Sequence, residues 1–452
     1  MGSGKTSYFI DKMNKDNSRY VYITPFLSEI KRVKNAITDK QFYDPENKGK
    51  GKLNSFNSLL SKKYCVISTH ELFKTADELT KSLISDGEYT LVLDEVMDVI
   101  DYYNITKDDI TMLINSGYMR VREDGFVEWL KDDYKTNNQD FKDLKLMAEN
   151  ERVMMHNDHL LLWCFPVDVF KSFKEVFILT YKFNGQIMRA YYDLYNIEYK
   201  FVSVRKFDNQ YKIVEYIDDK AKIQDLIEVV NDLKLNAIGN DRYSLSATWY
   251  KKAKDDPTSG TLKIIQNNMY NFFKNKCKAT SNDVIWTSFK GVGKDLEDNS
   301  KQTSLIKNKV KPKSYASDSC FAPVNSRATN DYADRHYLAY PVNVFMNPYL
   351  SSFFKNKGID VNEDEYSLST LLQWVFRSAV RNNENVKIYI PSSRMRLLLL
   401  RWIVQEVENK DPKILIEYEE WETMMWEDAI NYCGLENIVD SEDDSWGYSK
   451  IK

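Results

Sequence analysis

The chain has 452 residues, with 63 Lys and Arg against 67 Asp and Glu for a net charge of −4, and is 43% hydrophobic and 29% charged. At about 150 residues per domain this length predicts two or three domains, and the composition excludes a histone-like polycation and a wholly disordered chain. Its longest apolar runs, such as 160–166 and 397–400, fall far short of the ~20 residues that span a bilayer. No signal-peptide pattern opens the sequence. Cys65, Cys164, Cys277, Cys320 and Cys433 are scattered without a C-x-x-C pair, so neither a disulfide framework nor a structural zinc site is expected, and a reducing cytoplasm fits. Glycine is scarce at 15 residues, roughly half the usual share, which gives weight to the glycines present.

In chain order, Gly2-Ser3-Gly4-Lys5-Thr6 leads into a helical pattern through Met13. A strand-like run at 20–23 closes on Thr24-Pro25, and 26–37 reads as a helix. Residues 44–57 form a polar loop with Gly49 and Gly51. A short strand at 64–68 precedes Thr69-His70 and a helix; another at 89–93 ends in Asp94-Glu95; a fourth spans 176–180. Short apolar strands alternating with helical patterns predict an α/β fold, a parallel sheet with crossover helices. Residues 101–158 are polar and charged and read as a helical insertion. A boundary near 201–208 divides the chain into 1–205 and 206–452. The second part carries elements at 211–217, 284–288 and 337–343, helices at 220–233, 368–381 and 394–407, and a strand at 386–390. Residues 290–319 read as a lysine-rich loop, and the tail from 417 is acidic and carries tryptophan. No internal repeat or heptad is present.

Three motifs carry chemistry. In Gly2-Ser3-Gly4-Lys5-Thr6, glycines let backbone N–H groups close round phosphate, Lys5 meets the β- and γ-phosphates of ATP, and the Thr6 hydroxyl ligates Mg²⁺. A full phosphate loop also takes residues and a buried strand ahead of its first glycine; here those lie before Met1, so the start is late, the chain is a fragment, or part of the site is lost. The strand ending in Asp94-Glu95 places Asp94 near Mg²⁺ and Glu95 near an attacking water. Gln373, Arg377 and Arg381 recur at i, i+4 and i+8, one stripe of a helix able to reach a γ-phosphate; a solvated basic face is the plain alternative. His156 and His159 read as surface histidines rather than a metal pair. Lysines from 290 to 313, with Trp286 and Phe289 for stacking, could follow a nucleic-acid backbone, and a solvated loop reads equally well.

Taken together these motifs resemble a superfamily 2 helicase or translocase. Residues 2–6 resemble the end of its phosphate-binding motif I, Ile23-Thr24-Pro25 motif Ia, Ile67-Ser68-Thr69-His70 motif Ib, and Asp94-Glu95 motif II. Ile178-Leu179-Thr180-Tyr181 stands at motif III, Arg327-Ala328-Thr329-Asn330 at motif V, and 373–381 at motif VI. The wording Asp94-Glu95-Val96-Met97 is similar to the herpesvirus origin-binding helicases, and the style to phage-encoded relatives. The resemblance implies two RecA-like domains of the P-loop NTPase class, with ATP and Mg²⁺ between them. It implies a single-stranded or forked DNA substrate in phage or viral replication, replication proteins as partners, and a place in the host cytoplasm. It assigns phosphate binding to Gly2, Ser3, Gly4, Lys5 and Thr6, Mg²⁺ to Thr6 and Asp94, and catalysis to Glu95, Gln373, Arg377 and Arg381. Thr24, Thr69 and Thr329 would touch the nucleic-acid backbone. The chain departs from the family in the missing start, in arginines four rather than three apart, and in Phe376 and Ala379 where motif VI has glycines. A packaging ATPase that moves duplex without unwinding, and a catalytically impaired single-strand-binding protein, are the other readings.

Overall fold

The computed structural model describes residues 4–47, 49, 51–131, 139–217, 223–291, 305–325 and 331–407, with side chains to 403. Gly2, Ser3, 292–304, the motif V residues 327–330 with Thr329, and the acidic tail lie outside the described residues. The strands, in chain order, are β1 (Tyr20–Thr24), β2 (Phe42–Tyr43), β3 (Cys65–Thr69), β4 (Thr90–Asp94), β5 (Ile100–Tyr103), β6 (Met119–Val121), β7 (Val127–Trp129), β8 (Val153–His156), β9 (Leu160–Cys164), β10 (Glu175–Leu179), β11 (Val202–Phe207), β12 (Gln210–Glu215), β13 (Ile227–Val229), β14 (Val284–Trp286), β15 (Tyr337–Ala339) and β16 (Val386–Tyr389). They fall in two units, one made of Gly2–Ile217 with Met346–Tyr366, the other of Asp218–Phe345 with Ser367–Lys452.

The first unit is built on a parallel sheet ordered β10-β4-β1-β3-β2. Its central strands are apolar on both faces, as a sheet covered by helices on each side requires. Val21, Ile23, Val66, Leu91 and Leu93 point to one core with Phe56 and Leu60 of the helix Lys52–Ser61 and Ile84 of the helix Glu78–Gly87. Tyr20, Tyr22, Ile67 and Val92 point to the opposite core with Phe9 and Met13 of the helix Lys5–Lys15 and Ile30 and Val33 of the helix Leu27–Ala36. That alternation has a consequence for the site: by the strand period of two, Asp94 falls on the same face as Val92 and Tyr22, the face covered by the helix that begins at Lys5.

The insertion is not the helical segment that its charge suggested. It contains the helices Lys107–Asn115 and Gln139–Glu149, but also an antiparallel sheet β5-β9-β8 and the hairpin β6-β7. Gly125 makes the hairpin turn at φ 91°, a left-handed conformation that glycine adopts without cost. Strands of three to five residues show too few periods to stand out from charged flanks. Ile110, Leu113, Trp129, Phe141, Leu144 and Leu161 give this segment a core of its own. His156, read as a surface residue, is instead buried, its Nε2 3.2 Å from the Ser352 hydroxyl and its ring 5.7 Å from Phe353. Burial, followed by the charges of His159 and Lys357, lowers its pKa.

The sequence boundary near 205 falls inside the first unit. Asp208 and Asn209 both have positive φ (45° and 65°), the two-residue turn whose twist suits a hairpin, so β11 and β12 pair through six rungs instead of opening a new domain. Residues 346–366 also return to the first unit: the helix Pro348–Asn356 sends Leu350, Phe353 and Phe354 into its core, and Tyr349 stacks on Tyr102 at 5.7 Å.

The second unit carries the parallel sheet β13-β16-β15-β14. Trp286, proposed for stacking on bases, is fully buried with its Nε1–H donating to Tyr315 O at 2.9 Å. Lys307 is held by Asp318 at 2.7 Å and lies over the Phe321 ring. Gln373, Arg377 and Arg381 do not share a helix stripe. The helix Glu363–Val375 stops before Arg377; the Ser378 hydroxyl donates back to Val375 O at 2.6 Å, and the Ala379 N–H goes to Arg335 O at 3.0 Å. A 3₁₀ turn, Ala379–Asn382, then carries Arg381 outward. No helix among the described residues is long and apolar enough to cross a membrane.

Candidate active site

The carboxyl ends of β1, β3, β4 and β10 and the start of the helix Lys5–Lys15 converge in the first unit. Gly4 precedes that helix at φ 80°, ψ 17°, and no side chain caps the first turn. Uncapped N–H groups and the positive end of the helix dipole make such a turn receptive to an anion. Lys5 and Thr6 occupy the first turn. Lys5 is half-buried, and burial lowers its pKa against the opposing pull of Glu95 and Asp94.

Asp94 ends β4. Its carboxylate is buried and accepts a hydrogen bond from the Tyr22 hydroxyl at 2.8 Å. Burial first, then repulsion from Glu95, pushes its pKa up to about 7, with the Tyr22 hydrogen bond acting against them and Glu29 and Arg32 contributing smaller opposed effects. The peptide of Asp94 is fixed as well: its carbonyl lies 3.2 Å from His70 Nε2, at the start of the short helix after β3. Glu95 leaves the strand at φ 67°, a left-handed conformation rare outside glycine and asparagine. Its N–H donates to Leu179 O at 3.3 Å, and Thr180 approaches its carboxylate with an Oγ1–Oε2 distance of 3.5 Å.

The sequence-predicted residues of this unit are thus brought together in part. Gly4, Lys5 and Thr6 open the helix from which Lys5 faces Asp94 and Glu95. Thr69 lies at the end of β3, where its hydroxyl accepts the Leu72 N–H at 3.4 Å as a helix cap. Thr24 ends β1 fully buried, and its hydroxyl has no partner among the described residues. Gln373 and Arg377 are buried in the second unit and Arg381 is exposed there. Sequence reasoning missed Tyr22: within the apolar run Tyr20–Thr24 it looks like a core residue, and only the parity shared by neighbouring parallel strands aims its hydroxyl at Asp94.

The donor set fits a magnesium-bound triphosphate. Among the described residues no group of three or more His, Cys, Asp or Glu forms a metal cage. A metal held by Asp94 would therefore draw on hydroxyl, phosphate and water oxygen, the habit of Mg²⁺. A divalent cation would also hold Asp94 ionised against the burial and repulsion that protonate it.

Two parallel-sheet units, one with a lysine at a helix start facing carboxylates at a strand end, define an α/β protein. The chain belongs to the YonV family. It is 38% identical over 418 residues to the SPbeta prophage-derived uncharacterized protein YonV of Bacillus subtilis (strain 168), covering 89% of this chain and 97% of that one. Residues 221–403 match the YonV C-terminal Rossmann-like domain and 100–163 the YonV middle domain, limits that follow the second parallel sheet and the β5–β9 insertion. Two solved structures align with the chain at 12% identity. One titled XPD_Helicase gives a TM-score of 0.41, covering 91% of this chain and 94% of its own; S. tokodaii Xpd4 gives 0.40, covering 87% and 90%. At that level of likeness neither carries functional weight.

Proposed function

We propose that this protein is an ATP-driven nucleic-acid helicase or translocase of the superfamily 2 type, serving replication of a phage. The observation that carries the reading is the half-buried Lys5, in the first turn of its helix, facing Asp94 and Glu95 at the carboxyl end of the adjoining sheet. A half-buried cation beside two carboxylates, one of them buried, suits a triphosphate and its metal. The prophage origin of the relative supports the phage setting.

In this reading Gly4 and the first-turn N–H groups cradle phosphate, and Lys5 neutralises the β- and γ-phosphates. Thr6 and Asp94 hold Mg²⁺, which when bound offsets charge on the phosphates. Glu95, turned out of the strand and steadied by Thr180, orients the attacking water and takes its proton. Gln373, Arg377 and Arg381 are the candidates for neutralising charge that develops on the γ-phosphate. Thr69 and Thr329 act on the strand backbone, and cycles of nucleotide binding and release drive movement along it.

ATP hydrolysis by the purified protein, with and without single-stranded DNA, tests this. DNA-stimulated turnover lost in both Lys5→Ala and Glu95→Gln supports the motor. Unimpaired turnover in both variants removes it. Unwinding of a forked duplex separates a helicase from an ATPase that moves duplex without opening it.

A further inference from the structure

The β11–β12 hairpin lies far along the chain from the phosphate loop, yet β12 packs against the helix Lys5–Lys15. The contact is specific. A Cβ placed on Gly4 would collide with Cδ1, Cε1 and Cζ of Tyr211, so the phenol ring rests directly on the Gly4 backbone. Gly4 is therefore confined twice, by its left-handed φ of 80° and by a ring that leaves no room for a side chain. The hairpin is well anchored for such a role. An aromatic series joins its root to the body of the unit: Phe183 to Tyr199 at 5.4 Å, Tyr199 to Phe201 at 5.8 Å, and Phe201 to Tyr216 at 5.4 Å.

The register tells what else that face presents. Tyr211 pairs with Lys206 and Ile213 with Val204, so these four side chains share one face of the ribbon. Val204 is buried, and Ile213 and Tyr211 are partly covered; this is the face turned toward the unit. Lys206 is exposed, with its ammonium 6.0 Å from the Tyr211 ring centre. An exposed cation is thereby delivered one ring away from the glycine that precedes Lys5.

We infer that the β11–β12 hairpin is a wall of the nucleotide site, in which Tyr211 seats the phosphate loop at Gly4 and Lys206 supplies a second cation to the phosphate tail of a nucleoside triphosphate. This rests on the nucleotide reading of Lys5, Asp94 and Glu95. Tyr211 acts through Gly4 and is a positioning residue, whereas Lys206 meets the ligand. The ring and not the hydroxyl makes the contact, so phenylalanine serves equally well. The Lys206 contribution is coulombic, so it grows with the charge of the ligand and fades with salt.

Fluorescent mant-ATP and mant-AMP, which share base and ribose and differ in the phosphate tail, provide the test when titrated into the full chain at low salt. Lys206→Ala weakens mant-ATP about threefold to fivefold, the scale of one exposed charge contact. It leaves mant-AMP nearly unchanged, and Lys206→Arg restores mant-ATP. Tyr211→Ala weakens mant-ATP further, whereas Tyr211→Phe binds like the parent with an unchanged melting temperature. If Lys5→Ala abolishes mant-ATP binding while Lys206→Ala and Tyr211→Ala bind it as tightly as the parent or tighter, the hairpin inference fails and the nucleotide reading stands. If the parent binds no mant-ATP, both fail. Should Tyr211→Ala not fold, the mant-ATP to mant-AMP ratio in Lys206→Ala alone decides the matter.

Discussion

Replacing Asp94 by asparagine should make the protein more stable and, in the proposed reading, inactive. The Asp94 carboxyl titrates near 7 instead of at its ordinary 3.8, because it is buried and stands beside Glu95. The folded state therefore holds that proton more tightly than the unfolded state does. The sign follows: the stability associated with the group is fully present below about 3.8 and is lost as pH rises through about 7. A displacement of this size corresponds to something on the order of 4 kcal/mol between acid and mildly alkaline solution. Asparagine keeps an oxygen for the Tyr22 hydroxyl and carries no charge, so it escapes the loss. Thermal melts of both proteins in matched buffers from pH 4 to 8 give the measurement. The two should nearly coincide at pH 4. By pH 8 the variant should melt higher by about 8 °C, at roughly 2 °C per kcal/mol for a unit of this size. A melting difference that is flat with pH, or a variant that melts lower at pH 8, would refute the account of this carboxylate.

Tyr22→Phe removes the one hydrogen bond that favours the charged form of Asp94. The acid limb of the ATPase pH profile should then move to higher pH by about half a unit to one unit, and an unmoved limb would count against Asp94 as the group that must ionise. Glu95→Gly relieves a left-handed backbone and should raise stability by about 1 kcal/mol in urea melts while removing hydrolysis; a destabilised variant would show that the Glu95 side chain supports the fold. Arg394 is buried in the second unit, with Nη1 donating to Val344 O at 2.9 Å and Asn343 Oδ1 at 3.2 Å, Nη2 donating to Ser367 Oγ at 3.0 Å, and the guanidinium over the Phe345 ring. Arg394→Ala strands those acceptors and should cost about 3 kcal/mol, read as an earlier unfolding transition. An unchanged melt would mean that water replaces the guanidinium.

The part of the site that was legible in the sequence is the part set by short-range geometry. A lysine and a hydroxyl opening a helix after a glycine, and two carboxylates closing an apolar strand, are candidates that a local pattern displays, because helix start and strand parity decide where they point. What escaped depends on long-range pairing. Tyr22 reads as core until β1 lies beside β4 in register, with Tyr22 opposite Val92. The helix through 373–381 looks continuous by period, but Ser378 and the Arg335 carbonyl capture its last turn, a competition that no local pattern displays. Asp208-Asn209 is a local signal for a hairpin, yet the ribbon it closes lies where the sequence places a domain boundary. Likewise, nothing in Pro348–Asn356 announces that its phenylalanines belong to the core of a unit whose main segment ends at Ile217.

At the candidate site the fold accepts unfavourable choices. Lys5 is desolvated, Asp94 is buried next to a like charge, and the backbone of Glu95 is held in a left-handed conformation. Each alone is an ordinary irregularity, costing on the order of 1 kcal/mol or more. Together they occupy the end of one strand and the first turn of the facing helix. A packing solution would have no reason to gather them there, since hydrophobic residues of similar volume would serve the core better. A bound triphosphate with its metal offsets the first two: the lysine meets phosphate charge and the carboxylate gains a cation. The same ligand should therefore stabilise the first unit on binding, and should do so less in Asp94→Asn, where there is less unfavourable charge left to offset.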